Sequence, residues 1–395
     1  MSSQALPVLR ALAWPIYIPT ALFAAGVGAA VPVIPVVALS LGFDAAQTAL
    51  ILTATTVLAV AGPVPAGILM TSVGERAGLI GGGLVSVVGA LLAAASVSIV
   101  RSPTLFVASL FAATAGQLFW DLGRQTYLAD RVPPAVRARA MSVFGGTQRL
   151  GRVVGPLIGA GLLLTTGPAA VFVLLAALAL VAVALVVRFV TPQDASPTTH
   201  SKPTRGGARL APIVLVGLGV AGLALGRATR DLLVPLVGTA HGYDAAAISL
   251  AYGAGAAAEL LLFLPGGVIM DRFGRLAVLA PCMIGLGAGL IALPFAVDYG
   301  VFVLVVAGMG VANGLGAGIN KTLSVDYTPA FNRARYLGYW NTIVGTGELA
   351  GPALVATVTA IGSLAAACVA CGAATGALAV WAVAWIRHLP PPDQA

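Results

Sequence analysis

Long apolar runs separated by short polar loops set the pattern of the chain. They recur at about 14–38, 46–70, 78–100, 104–128, 140–165, 168–191, 210–236, 246–270, 276–297, 300–322, 336–361 and 363–387. Each is close to the roughly 20 residues a helix needs to cross a hydrocarbon layer. The runs are continuous rather than alternating, which predicts α-helices. A helix satisfies its backbone within one segment, whereas barrel strands are shorter and alternate in character. The pattern breaks after the sixth run, where residues 191–207 are polar and rich in Pro, Ser and Thr, a linker composition. The expected fold is therefore an all-α integral membrane protein. Twelve transmembrane helices form two six-helix bundles, 1–191 and 210–395, joined by a linker over 192–209. Residues 1–13 lead directly into a long apolar segment, so no cleaved signal peptide is expected.

Composition agrees with this picture. The chain is 59% hydrophobic and 9% charged, with a mean hydropathy of +1.00. A soluble domain carries about 25% charged residues. The net charge of +8 is spread through short loops rather than gathered on one domain, which argues against a nucleic-acid partner. Most basic residues fall on one set of loops, among them Arg76, Arg137, Arg139, Lys202, Arg272, Arg275, Arg333 and Arg335, with Arg101 and Arg230 on the other. The bias places the first set and both termini in the cytoplasm of a multi-pass inner (plasma) membrane protein. Cys282, Cys368 and Cys371 lie in apolar runs without a second ligand pair, so they read as packing residues, and no metal site is expected.

The two halves repeat each other. Pro265-Gly-Gly-Val-Ile-Met-Asp271-Arg-Phe-Gly274-Arg275 aligns with Pro65-Ala-Gly67-Ile-Leu-Met-Thr71-Ser-Val-Gly74-Glu75, and Gly242-Tyr-Asp244 with Gly42-Phe-Asp44. Asp130, Pro133, Arg137, Arg139, Gly151, Gly155 and Pro156 fall on Asp326, Pro329, Arg333, Arg335, Gly347, Gly351 and Pro352. An internal repeat in so apolar a chain points to a transporter.

Three motifs carry a family resemblance. Gly267-x-x-x-Asp271-Arg272-x-Gly274-Arg275, between the eighth and ninth spans, resembles the signature loop of the major facilitator superfamily. Ala129-Asp130-x-x-Pro133-Pro134-x-x-Arg137-Ala-Arg139 resembles that superfamily's loop between spans four and five. Gly151-Arg-Val-Val-Gly155-Pro156-Leu-Ile-Gly159-Ala160 resembles the motif enriched in its drug/proton antiporter branch, with Ala160 replacing the final glycine. The resemblance covers essentially the whole chain. It implies that the first loop gates, latching the bundles in the outward-facing state, and that the glycine face of span five meets span eight. The loop chemistry has a physical sense: a carboxylate at Asp271 gains from a neighbouring helix N-terminus and from Arg272 and Arg275, while glycines allow close approach. Thr71 replaces the carboxylate in the N-terminal copy. The arginine usual in the outer half of span four is also missing, with Leu110 near its place.

Ionisable residues within spans are costly and mark function by default. Asp121, Arg149, Arg152, Arg227, Glu259 and Glu348 are the candidates; Arg230 and Asp231 lie near the outer end, and Arg124 near the cytoplasmic end, where it reaches water by snorkelling. Counting along the helices places Glu259 roughly 17 Å and Arg152 roughly 18 Å from the cytoplasmic ends of their spans. Two pairs are expected, Arg152–Glu259 between bundles and Asp121–Arg149 within one. Glu259 and Glu348 are the expected proton carriers, since burial raises a carboxylate's pKa and a neighbouring Arg lowers it. The resemblance implies a cavity lined by spans one, four, seven and ten, which offer Tyr17, Phe23, Gln117, Phe119, Trp120, Asp121, Arg227 and Asn313. An aromatic, mostly apolar cavity suits amphipathic organic molecules.

Enzyme chemistry is not expected, because His200, His241 and His388 lie in loops or near the C-terminus without a clustered nucleophile. Gly308-x-Gly310 follows no strand, so no nucleotide loop and no cofactor are expected. The leading expectation is a secondary transporter working as a monomer, with protons, membrane lipid and a small-molecule substrate as partners. It exports amphipathic organic molecules in exchange for protons. Two other readings stay open: proton-coupled or facilitative uptake of a small metabolite, anionic or neutral, and a lipid flippase-like activity.

Overall fold

The computed structural model describes residues 5–132, 134–190, 210–327 and 333–388. After a short helix, Ala5–Ala11, twelve helical spans follow. They are α1 (Ala13–Ser40), α2 (Ala45–Ala61 continued by Pro63–Val73), α3 (Glu75–Ser98), α4 (Pro103–Arg131), α5 (Pro134–Thr165) and α6 (Pro168–Phe189). The second half gives α7 (Leu210–Ala240), α8 (Ala245–Phe273), α9 (Leu276–Phe295), α10 (Tyr299–Leu315 and Ile319–Tyr327), α11 (Arg333–Ile361) and α12 (Leu364–His388). Ten helical stretches among the described residues are long and apolar enough to cross a membrane; α2, broken in the middle, and α5, with a charged start, complete the twelve. No strand occurs among the described residues.

The interruptions have local causes. In α1 a π-helical turn, Ala13–Tyr17, holds Pro15, and a turn at Val31–Pro32 separates two helical stretches, because proline lacks the N–H that would continue the ladder. Gly62 stands before Pro63 at the break in α2. In α10 the turn at Gly316–Gly318 ends one helix and starts another.

The repeat is visible in the backbone. Gly42 and Gly242 turn with φ of 96° and 85°, and Gly74 and Gly274 with 86° and 87°. These left-handed conformations favour glycine, and the four positions match pairwise in the two halves.

The described residues form two compact units. One holds residues 5–43, 54–190 and 245–253; the other holds 44–53, 210–244 and 254–388. The linker expected at 192–209 lies outside the described residues. Within each unit, helices meet along stripes of small residues. A methyl group at Gly89 of α3 would strike Ala113 of α4, and one at Gly287 of α9 would strike Gly372 of α12. Such seams suit a bilayer, where apolar burial alone does not drive helices together and close backbone approach does. Large apolar side chains such as Leu261, Leu304 and Val380 point outward.

Candidate functional site

The C-terminal unit holds a chain of polar side chains inside apolar helices. It begins with packing. Gly310 and Gly314 of α10 lie so close to α8 that a methyl group on either would strike the backbone of Gly255 or Glu259. This contact brings Glu259 of α8 beside Asn313 of α10. Asn313 Nδ2 donates to Glu259 Oε2 at 2.6 Å, and Arg227 Nε of α7 donates to Asn313 Oδ1 at 2.5 Å. The amide orientation follows from chemistry, since a guanidinium only donates and a carboxylate only accepts. Arg227 Nη2 also donates, at 3.0 Å, to the carbonyl of Gly316, in the turn where α10 breaks. On the other side, Arg230 Nη1 lies 3.5 Å from Glu259 Oε2, and Arg230 Nη2 lies 3.2 Å from Asp231 Oδ1. Two arginines thus balance two carboxylates. The Glu259 side chain is 22% exposed and that of Arg230 11%, so water screens the pair only in part.

Within its own unit the Glu259 carboxylate is held by Asn313 and Arg230, while the expected partner Arg152 belongs to the other unit. This arrangement corrects one expectation. Arg230 was placed near the outer end, meeting water, yet it is largely buried. The residues of α7 lie one helical turn apart, so Arg227 and Arg230 reach the same site from successive turns.

The N-terminal unit holds a second polar cluster, a small pocket lined by Phe23, Ala24 and Val27 of α1, Gln117, Asp121 and Arg124 of α4, and Gln148 and Arg152 of α5. Asp121 pairs with Arg124 one turn along the same helix, not with Arg149 as expected. The i, i+3 spacing puts both on one face, whereas matching heights on two helices say nothing about which way side chains point. Arg124 does not snorkel: it is 1% exposed. Its Nε donates to the Trp120 carbonyl at 3.1 Å, and its guanidinium carbon lies 5.1 Å from the Trp120 ring centre and 5.3 Å from that of Phe144, within cation–π range. Arg149 is half-buried and Glu348 exposed, on α5 and α11.

The expected cavity aromatics divide. Phe23 lines the pocket and stacks on Trp120, ring centres 5.0 Å apart. Trp120 itself is fully buried and packs on Gly83 of α3. Phe119 faces α3, where its Cβ lies against Gly82, so it belongs to the α3–α4 seam. Tyr17 is buried, its hydroxyl donating to the Ala140 carbonyl at 3.4 Å. Sequence reasoning missed Arg124, Gln148 and Arg230 as site residues; the available signal was their polarity within helical segments.

The glycine motif of α5 also differs from its expected place. A methyl group at Gly151 or Gly155 would strike the backbone of α1 at Ala21 and Ala25, and Gly159 faces Ala29. The face expected to meet the eighth span is covered by α1. Its repeat does the same, with Gly347 of α11 against Ala221 and Gly351 against Leu225 and Thr229 of α7.

At the signature loop, Gly267 lies in α8, Gly274 ends it, and Arg272 is exposed. Arg275 Nε donates to Asp326 Oδ2 of α10 at 2.9 Å, the two side chains 35% and 20% exposed. The side chains of Asp271, Thr71, Glu75, Asp130, Arg137 and Arg139 lie outside what the structure describes. No cluster of metal-ligating side chains occurs among the described residues.

The family model of the Major Facilitator Superfamily matches residues 16–226 and 216–395. No curated protein sequence matches the chain. Among solved structures, a POT family transporter in complex with 5-aminolevulinic acid is similar with a TM-score of 0.74 at 11% identity, over 97% of this chain and 96% of that one. A POT family transporter in complex with a thioalcohol-conjugated peptide gives 0.75 at 11% identity, with coverage of 97% and 96%. The nucleoside transporter NupG gives 0.73 at 13% identity, with coverage of 93% and 98%. These likenesses establish the fold, and the family match establishes a multi-pass membrane transporter rather than an enzyme. The chain belongs to the Major Facilitator Superfamily.

Proposed function

We propose that the protein is a proton-coupled secondary transporter that exports small amphipathic organic molecules in exchange for protons by alternating access. It works as a monomer in an inner membrane, with both termini cytoplasmic. The observation that carries the reading is Glu259, a half-buried carboxylate in an apolar helix, held by Asn313 and, at a longer 3.5 Å, by Arg230. Such a carboxylate has a proton affinity that depends on its partners. Movement of Arg230 relative to Glu259 changes the balance between the charged and the protonated carboxylate. A conformational change that moves α7 against α8 would therefore load and unload a proton. Glu348 remains a second candidate carrier, and Gly267, Asp271, Arg272, Gly274 and Arg275 the proposed gating loop. The glycines and Pro156 of α5 support the antiporter reading through their resemblance alone.

A second reading, proton-coupled uptake of a small anion, is favoured by the pocket of the first unit, where Arg124 and Arg152 outnumber Asp121. Purified protein in proteoliposomes under an imposed pH gradient, with a panel of fluorescent cationic, neutral and anionic compounds, separates the two. Movement opposite to protons, lost when the gradient collapses, supports export. Movement with the protons supports uptake, and flux indifferent to the gradient contradicts both.

A further inference from the structure

The pocket between α1, α4 and α5 has a chemistry the proton chain does not use. Two arginines and one carboxylate line it, leaving one positive charge. Gln117 and Gln148 add amide groups, and Phe23 supplies an apolar wall. Arg124 is 1% exposed, and its Nη1 has no hydrogen-bond partner among the described residues. A buried cation with an unmet donor is costly, and an entering oxygen acceptor relieves that cost. Arg152 is exposed on α5, so it is free to meet a ligand at the mouth while Arg124 stands at the base. A cationic ligand would face net repulsion here, and a neutral one would leave the excess charge unmet.

We propose that this pocket binds the anionic group of the transported molecule, a carboxylate, sulfonate or phosphate oxyanion, with Arg124 and Arg152 as its donors. The small pocket takes the anionic head, and buried Phe23 closes one side of it. The assignment rests on the transport reading and narrows its substrate class to amphipathic organic anions. Guanidinium groups suit the task because their planar fork matches two oxygens of one oxyanion.

Thermal stabilisation of the detergent-purified protein by 2-naphthoate, 2-naphthalenesulfonate and 2-naphthyl phosphate, against 2-naphthamide, tests the assignment. At least one anion is expected to bind better than the amide. Arg152→Gln, at an exposed position that leaves the fold intact, is expected to weaken that anion by about tenfold or more, the usual effect of losing a hydrogen bond to a charged group. Asp121→Asn, which removes the opposing charge, is expected to bind it at least as tightly. Equal binding of amide and anions, no binding by any anion, or an Arg152→Gln variant indistinguishable from the parent would overturn the proposal. The transport reading fails separately. Intact anion binding without gradient-driven flux would fault transport alone, whereas gradient-driven flux of amides and anions alike, unaltered by Arg152→Gln, would fault only the anion site.

Discussion

Glu259 shows how much one contact decides at the scale of a residue. Its carboxylate is acceptable inside an apolar helix because Asn313 relays it to Arg227 and because Arg230 stands beside it. Asn313→Ala removes both of the relay's hydrogen bonds, leaving Glu259 with Arg230 and Arg227 with the Gly316 carbonyl. A loss of about 3 kcal/mol is expected, since bonds to charged groups contribute about 1.5–3 kcal/mol each; a lower unfolding midpoint in detergent is the check, and an unchanged one contradicts the relay. The Asp121–Arg124 pair gives a second case. Asp121 keeps a side-chain exposure of 34%, so solvent reduces the penalty of breaking the pair. A double-mutant cycle of Asp121→Asn and Arg124→Gln is expected to show a coupling of about 1 kcal/mol or more, and additivity would show that the pair contributes nothing. Most of these polar residues were legible in the sequence, because a charge or amide in an apolar run stands out. Their partners were not. Counting along a helix gives height, and height alone paired Asp121 with Arg149; the direction in which each side chain points decided otherwise and gave Asp121 to Arg124.

At the scale of elements, the seams between helices are the most constrained parts of the fold. Gly155 has no room for a side chain, because α1 runs directly over it, whereas Gly161 on the same helix faces open space. Gly155→Leu is expected to force α1 and α5 apart and abolish both stability and transport, while Gly161→Ala is expected to be neutral or stabilising by about 0.5–1 kcal/mol. Melting curves of the two variants decide this, and a tolerated leucine at Gly155 would contradict the packing. The Arg275–Asp326 pair ties the turn after α8 to the end of α10. Being partly exposed, it is expected to contribute no more than about 1 kcal/mol to stability, yet Asp326→Asn is expected to slow transport if this loop gates. Reversing the pair, Arg275→Asp with Asp326→Arg, is expected to restore part of the rate; no recovery would reduce the contact to a local tie. The spans themselves were legible, since apolar length is a strong signal: the sixth, expected at 168–191, is Pro168–Phe189. The fifth was read from 140 but begins at Pro134, because its first two turns carry arginines and so lack the apolar signal while still being helical. The breaks at Gly62–Pro63 and Gly316–Gly318 were passed over because hydropathy continues across them.

At the scale of the molecule, one scaffold is used twice with different charges. The repeat that places Gly151 on Gly347 also places Gln117 on Asn313 and Arg152 on Glu348. The amide is kept in both halves. The charges are not: the first unit gathers Arg124 and Arg152 against Asp121, while the second balances Arg227 and Arg230 against Glu259 and Asp231. A duplicated membrane fold can in this way divide its work, one half holding an anion and the other a proton. The duplication was plain in the sequence because glycine turns and loop motifs recur at fixed spacing. The division of charge was not, because it depends on side chains that the repeat does not share.

The most direct test of this account is proton movement itself. Proteoliposomes carrying a pH-sensitive dye in their lumen, challenged with 2-naphthoate and with its amide, report whether substrate transport moves protons. The account predicts a luminal pH change with the parent protein and none with Glu259→Gln, in which radiolabelled substrate exchange continues without protons. An undiminished pH change in Glu259→Gln would contradict it and remove this carboxylate from the coupling.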